Sequence, residues 1–335
     1  MNIIFSSDNN YVPLLGVAIY SLFENNKEYL HKSDPNKINV FIMDMDISKK
    51  SIATLNSIAS CYNSEITYLN TKEIHKYLQN TIKLNVRSLA TYYRLFLPSL
   101  LPKNIDKVIY MDCDSIINAP IHELWNINME GYDIAGVLDL VAKEHKVNVG
   151  LTEKDPYVNA GMLVINLAKW RTDNMEQQMI NFIKKHKGKV AYHDQGTING
   201  VCLQKKIIHP KYNAMTPIFV MTYRQILHYH SLTSYGSKKE LIEAKENPIF
   251  VHFTPYLTDR PWVKGNFHPL RKLYKEVQSK TPWKGVQFDK PSKTLEPWVR
   301  WLFKILPYWL FIGILRFLQW FRIKTCIRKL VGKEI

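Results

Sequence analysis

Lys107-Val108-Ile109-Tyr110-Met111-Asp112-Cys113-Asp114 is the run from which the rest of the chain can be read. Val108 to Met111 is a short β-branched and aromatic stretch, the mark of a buried strand. Asp112 and Asp114 follow at its carboxyl end. Residues two apart in extended backbone share a face, so the two carboxylates project together. In open α/β sheets that end of a strand is where ligands bind. Left alone, the two would repel and one would protonate; a divalent cation resolves the conflict. Hard oxygen ligands suit Mg²⁺ or Mn²⁺, ions that commonly hold substrate phosphates as well. The plainer alternative is a strand that ends in an Asp-rich turn, and the run alone admits both.

Upstream, strand and helix alternate from the first residues. Ile3–Ser6, Asn39–Met43 and Glu65–Leu69 read as strands, Val12–Phe23 and Ser48–Ser60 as helices. That alternation predicts an α/β fold with a parallel, doubly wound sheet. Downstream, Ala90–Leu100, Trp170–Lys187 and Gln195–Leu203 read as helices and Met162–Asn166 as a strand. Asn159-Ala160-Gly161, just before that strand, are turn residues by default. A polar, proline-containing stretch from Thr281 to Thr294 divides a domain over 1–280 from a linker and tail over 281–335.

The chain has 335 residues, 46% of them hydrophobic, which is enough for a full globular core. Cys61, Cys113, Cys202 and Cys326 fit neither a zinc spacing nor a disulfide framework, and point to a reducing compartment. The start, Met1-Asn2-Ile3-Ile4-Phe5, lacks the basic and apolar regions of a signal peptide. The net charge is +16, and residues 290–335 hold ten basic residues against Glu296 and Glu334. Trp298, Trp301, Trp309 and Trp320 lie among them. Basic residues interleaved with tryptophan can bind nucleic acid, but dense Leu, Ile and Phe favour a bilayer interface. The longest uncharged run of this tail, Ile305–Leu315, has 11 residues and contains Pro307, whereas a spanning helix needs about 20. The expectation is a cytoplasmic protein held peripherally on the inner face of an anionic membrane, without nucleic acid. Arg300, Lys304, Arg316, Arg322 and Lys324 would meet lipid phosphates, and Trp298, Trp301, Leu302, Ile305 and Trp309 would enter the headgroup boundary.

Other residues carry possible chemistry. His252, in the apolar run Ile249-Phe250-Val251-His252-Phe253, is either a core histidine or a third metal ligand; imidazole beside carboxylates would favour Mn²⁺. Arg260, in Asp259-Arg260-Pro261-Trp262, is a diphosphate clamp or a surface arginine beside a tryptophan. Asp194 precedes a helix and reads as an N-cap, or as an acceptor for sugar hydroxyls with Gln195 close to a reacting carbon. Ser6, Asp8, Asn10 and Tyr11 follow the first strand, where they can reach a nucleobase and Tyr11 can stack on it. His228-x-His230 has no acidic neighbour to complete a metal site. There is no Gly-rich phosphate loop and no nucleophile elbow.

Six pieces in one order resemble the retaining glycosyltransferases of family 8, which include bacterial lipooligosaccharide α-galactosyltransferases and glycogenin. They are Ile4-Phe5-Ser6-Ser7-Asp8-Asn9-Asn10-Tyr11, Thr91-Tyr92-Tyr93-Arg94-Leu95, Tyr110-Met111-Asp112-Cys113-Asp114, Asn159-Ala160-Gly161 with Asn166-Leu167, His193-Asp194-Gln195, and His252 ahead of Pro261-Trp262. The resemblance covers about residues 1–265. It implies a single-domain GT-A fold, Rossmann-like and binding a UDP-hexose, with Mn²⁺ (or Mg²⁺) held by the DxD pair Asp112 and Asp114 together with His252. It places Asp8 and Asn10 on uridine. Arg94, Asn159, Ala160, Gly161, Asp194 and Gln195 fall around the donor sugar, and Arg260 at the family's diphosphate-binding lysine. The loop from His252 to Trp262 departs from the family pattern: it is two residues longer and lacks the glycine.

A retaining transfer proceeds through a covalent sugar–enzyme intermediate or by same-face attack. An amide at position 195 is a poor nucleophile, so same-face attack is expected, with the UDP phosphate taking the acceptor's proton. The acceptor would be a lipopolysaccharide or other surface oligosaccharide. A metal-dependent nucleotidyltransferase or nucleotide-sugar hydrolase, and a non-catalytic sugar-nucleotide binder, are the alternatives.

Overall fold

The computed structural model describes residues 1–30, 37–81, 89–288, 297–315 and 317. Ten strands run in chain order: β1 (Asn2–Asp8), β2 (Asn39–Met45), β3 (Ile66–Asn70), β4 (Lys107–Met111), β5 (Ser115–Ile117), β6 (Ile134–Leu138), β7 (Val158–Asn166), β8 (Lys205–Ile207), β9 (Ala214–Met215) and β10 (Phe250–His252). Seven form one sheet in the order β3-β2-β1-β4-β7-β6-β8. The first four strands of that order are parallel, as expected. The expectation of an all-parallel sheet fails at β7, which runs antiparallel to both β4 and β6. β6 and β7 are consecutive neighbours, and neighbours joined at one end of a sheet run antiparallel. β7 is also buried along nearly its whole length, so its apolar pattern carries no mark of direction.

Alternation along the central strands sorts side chains onto two faces. Ile3, Phe5, Ile109 and Met111 join the core on one side, Ile4, Val108 and Tyr110 the core on the other. The small sheet β5-β10-β9 stands beside this layer. β10 pairs antiparallel with β5, setting His252 opposite Ser115, one residue after Asp114.

Several local expectations are corrected. Asn159-Ala160-Gly161 lie inside β7, not in a turn before it. The helix expected over 170–187 is two helices, Leu167–Thr172 and Met175–Lys185, separated at Asn174 in the left-handed region. The segment 90–100 is a 3₁₀ stretch, Leu89–Phe96, followed by one α-helical turn.

Beyond residue 280 the chain still packs on the domain. A Cβ on Gly16 in the helix Val12–Glu24 would lie 1.9 Å from the Trp283 ring, so glycine there lets the tryptophan dock. Val299, Phe311 and Ile312 share a buried cluster with Met215, Ile226 and Leu257. Arg300, expected to face lipid, is 3% exposed and pairs with Asp259 at 3.2 Å. Leu302 is partly buried against the same cluster. The expected contributions of Arg316, Trp320, Arg322 and Lys324 lie outside the described residues.

Candidate active site

With strand order 3-2-1-4, the chain leaves β1 to one side and β4 lies on the other, so a crevice opens at their carboxyl ends. A cleft of about 290 Å³ occupies it, lined by Ser6, Asp8, Tyr11, Arg94, Asp112 and Asp114 among others. One carboxylate oxygen of Asp8 accepts the backbone N–H groups of Asn10 (2.8 Å) and Tyr11 (3.0 Å). That turn leaves Asn10 exposed and the Tyr11 side chain 44% exposed at the mouth.

β4 and β10 deliver the cation-binding candidates. His252 Nε2 lies 3.3 Å from Asp114 Oδ1 and 3.8 Å from Asp112 Oδ2. One ligand atom from each of the three falls within 4.8 Å of the others. The imidazole fits because position 161 is glycine: a Cβ there would sit 2.1 Å from His252 Cε1. His252 Nδ1 contacts Asn213 Oδ1 at 3.2 Å, which holds the ring with Nε2 toward the carboxylates. Burial works to raise the Asp114 carboxyl, but the Arg260 and His252 cations outweigh it and hold it below the usual carboxylate range. Burial likewise opposes a charged His252, and the carboxylates of Asp114 and Asp112 overturn this and push the imidazole up. The field that draws a proton onto His252 favours a divalent cation for the same reason. Two carboxylates and an oriented imidazole fit such an ion. Arg260 is no free surface residue: its Nη2 donates to Asp114 Oδ2 (2.7 Å) and its Nε to the Phe253 carbonyl (3.0 Å).

Arg94 joins this cluster to a second. It is buried over the Tyr110 ring and donates to Asp112 Oδ1 (3.0 Å) and the Ala160 carbonyl (2.7 Å), while its Nε pairs with Asp194 Oδ2 (3.0 Å). Burial raises the Asp194 carboxyl in spite of Arg94. Asp194 is not the N-cap expected from sequence. The helix is His193–Val201, and Tyr192 precedes it without a side-chain cap. Tyr192 and His193 both have positive φ, 56° and 54°, a strain of order 1–3 kcal/mol per residue that clusters at functional sites. This turn aims Asp194 at Arg94 and Gln195 at β7.

Gln195 is held at both ends of its amide. Its Oε1 accepts from the Ala160 N–H (3.0 Å) and Asn159 Nδ2 (3.3 Å), and its Nε2 donates to Asp139 Oδ2 (2.8 Å). Asn159 also donates to Asp139 (3.0 Å), and its Oδ1 accepts from Asn213 Nδ2 (2.9 Å). A hydrogen-bonded path thus runs from His252 through Asn213 and Asn159 to Asp139 and Gln195.

Sequence reasoning missed Asp139 and Asn213. Asp139 carries the same signal as the Asp pair, an acid at the carboxyl end of an apolar run, here Ile134-Ala135-Gly136-Val137-Leu138. Asn213 carries none. His228 and His230 have tyrosine hydroxyls beside them, of Tyr308 and Tyr256 respectively, and among the described residues neither joins a group of three metal-ligating side chains.

The Glycosyl transferase family 8 model matches residues 2–265. A Haemophilus influenzae protein named "Putative glycosyltransferase" is 36% identical over 259 residues, covering 76% of this chain and 71% of that one. The lipopolysaccharide 1,2-glucosyltransferase of Escherichia coli K12 is 26% identical over 301 residues, covering 85% of this chain and 79% of its own. The crystal structure of galactosyltransferase LgtC with donor and acceptor sugar analogues superposes with a TM-score of 0.67 at 22% identity, covering 84% of this chain and 96% of that one. That likeness establishes the GT-A fold. Family membership also decides against the nucleotidyltransferase, hydrolase and binder readings: the chain belongs to glycosyltransferase family 8 and is a glycosyltransferase.

Proposed function

We propose that the chain moves a hexose, galactose or glucose, from a UDP-sugar to a hydroxyl of a lipopolysaccharide or other cell-surface oligosaccharide. The transfer retains anomeric configuration and depends on Mn²⁺, with Mg²⁺ a weaker substitute. One observation carries the reading. The carboxylate–imidazole cluster suited to a cation and diphosphate is joined, through Arg94, to a hydrogen-bonding network suited to a sugar. The relatives named for glucosyl and galactosyl transfer agree with it.

Asp112, Asp114 and His252 would hold the cation, which when bound neutralises the diphosphate of the departing UDP. Asp8, Asn10, Tyr11 and Ser6 would receive the nucleoside at the mouth. Arg260 supplies a further positive charge beside Asp114. Asp194 would accept from sugar hydroxyls, and Asn159, whose amide is taken up by Asp139, Gln195, Gly161 and Asn213, would hold Gln195 in place beside them. Both Oε1 contacts of Gln195 are to protein donors, so this amide is a locked dipole and not a free nucleophile. Donation from Nε2 to the Asp139 carboxylate increases the negative character of Oε1, which stabilises positive charge developing on the sugar. Attack then comes from the face of the leaving group, and the acceptor's proton passes to the UDP phosphate.

The helix Pro297–Ile305 and the helical stretch 308–315 after it would rest on an anionic inner membrane leaflet. Their outward side chains are unusually apolar, with Trp298 46%, Trp301 59% and Trp309 73% exposed. No helix among the described residues is long and apolar enough to cross a membrane.

The test is a screen of UDP-sugars for Mn²⁺-dependent UDP release, with and without truncated lipopolysaccharide cores. Acceptor-dependent release with an α-linked product from an α-linked donor is expected. A β-linked product ends the retaining mechanism, and release indifferent to acceptor ends the transfer to oligosaccharide.

A further inference from the structure

The loop from His252 to Trp262 touches the cation cluster on one side and the C-terminal helix on the other. On the inner side, Arg260 donates to Asp114 Oδ2 at 2.7 Å and to the Phe253 carbonyl at 3.0 Å. On the outer side, the adjacent residue, Asp259, pairs with Arg300 Nη1 at 3.2 Å. The Arg300 and Asp259 side chains are only 4% and 16% exposed. Leu257, two residues earlier, is fully buried in the cluster that contains Val299, Phe311 and Ile312. Lys304, one turn along the helix from Arg300, lies 5.5 Å over the Phe267 ring just past the loop. The tail is latched elsewhere too, since the Tyr308 hydroxyl donates to the Gln225 carbonyl at 3.0 Å.

Ordering an arginine away from water costs several kcal/mol unless a partner is held in place. A mere anchor for a lipid surface has no need of an inward arginine; its basic residues belong on the wet side. Residues 259 and 260 share a peptide bond, so fixing the Asp259 carboxylate fixes the direction in which Arg260 leaves the backbone. The extended loop lacks the glycine and the short spacing of the family pattern, so its shape must be held by other contacts.

We infer that Arg300 is a positioning residue: through Asp259 it braces the Arg260 loop, making the C-terminal helix part of the diphosphate-binding apparatus. This rests on the UDP-sugar reading given above. A clamp of this kind acts on the diphosphate and not on the nucleoside. Loss of an outer partner of a cation site commonly weakens ligand affinity by roughly 10- to 100-fold.

The experiment is calorimetric titration of the full chain with UDP and with UMP, each in Mn²⁺. The variants are Arg300→Met, Arg300→Lys, the charge-neutral pair Asp259→Asn/Arg300→Met, Arg260→Ala, and Arg260→Ala/Arg300→Met. Arg300→Met and the neutral pair are expected to bind UDP about tenfold more weakly while UMP binding stays near wild type. Arg300→Lys should recover part of the loss. Arg260→Ala/Arg300→Met should bind UDP no more weakly than Arg260→Ala, because both substitutions remove one device. Wild-type UDP affinity in Arg300→Met with the neutral pair, equal loss of UDP and UMP, or additive losses overturns the inference. A folded wild-type chain that ignores UDP in Mn²⁺ overturns the donor reading itself, and the brace with it.

Discussion

The mouth of the crevice and the C-terminal helix distribute polarity in opposite ways. At the crevice, Arg94, Asp114, Asp194, Asn159 and His252 are buried, each held by other polar groups. On the helix Pro297–Ile305, tryptophans and Ile305 face outward while Arg300 faces inward to Asp259. Burying charge is costly, and the cost is accepted where a ligand of opposite or matching charge is to be bound. Exposing large aromatic groups is also unfavourable, and a contiguous patch of them marks a surface awaiting a partner. On the function proposed above, the first region would receive a small charged substrate and the second an extended apolar surface.

Five sets of variants can break or sharpen that contrast. Asp112→Asn or Asp114→Asn should lower Mn²⁺-dependent turnover by about 10²–10³, and Asp114→Asn should also lower the melting temperature, because Arg260 and His252 lose the buried anion that pairs with them. Near-normal turnover in either would remove the carboxylate from the reaction. Gln195→Ala should reduce turnover by about 10²-fold while UDP affinity, measured by calorimetry, moves much less. Asp139→Asn should follow it in direction, because the anion polarises the Gln195 amide; an effect confined to UDP binding would place both residues on the wrong substrate.

At the other region, Trp298→Ser, Trp301→Ser and Trp309→Ser together should weaken binding to anionic vesicles, roughly fivefold for each ring, and leave transfer to a small soluble acceptor intact. Vesicle sedimentation at low and high salt measures this. Loss of the fold in the triple variant would mean that the outward face is packing surface.

An effect on stability and not on function is expected in the seam between the two regions. His268 lies edge-on to Phe253, and burial pushes its imidazole down to about 4. Its Nδ1 accepts the Leu270 N–H at 3.1 Å, a bond that only the unprotonated nitrogen can make. The unfolded chain binds this proton near pH 6.5 and the folded chain does so only near 4. Stability from His268 is therefore intact above about pH 6.5 and falls as pH drops toward 4, by about 3 kcal/mol in all. His268→Gln should flatten that part of the curve in chemical denaturation; an unchanged slope would assign the acid sensitivity to other groups.

Much of the crevice was legible because its parts sit at strand ends. An apolar run followed by Asp tells both where a strand stops and which side chain meets the ligand. Asp8, Asp112 and Asp114 were found in this way, and Asp139 is the same signal passed over. His252 was ambiguous, since an apolar strand is as good a home for a core histidine as for a ligand. Its neighbour Gly161, which gives the ring room, resembled a turn glycine. Asn213 had no local signature at all. Its importance comes from a contact with His252, 39 residues away.

By itself the sequence determined the α/β class, the edge of the sheet that carries the chemistry, and the family, because strand period, terminal acids and motif order are local properties. Only the tertiary structure decided that β7 runs antiparallel, that Gln195 is locked by Asp139, Asn159 and Ala160, and that Arg300 turns inward. Strand direction, hydrogen-bond partners and the buried face of a doubly apolar helix all depend on contacts between distant segments. A helix with tryptophans on one side and Val299 and Arg300 on the other has no single hydrophobic face to read; the acid that selects the inner one, Asp259, is 41 residues earlier in the chain.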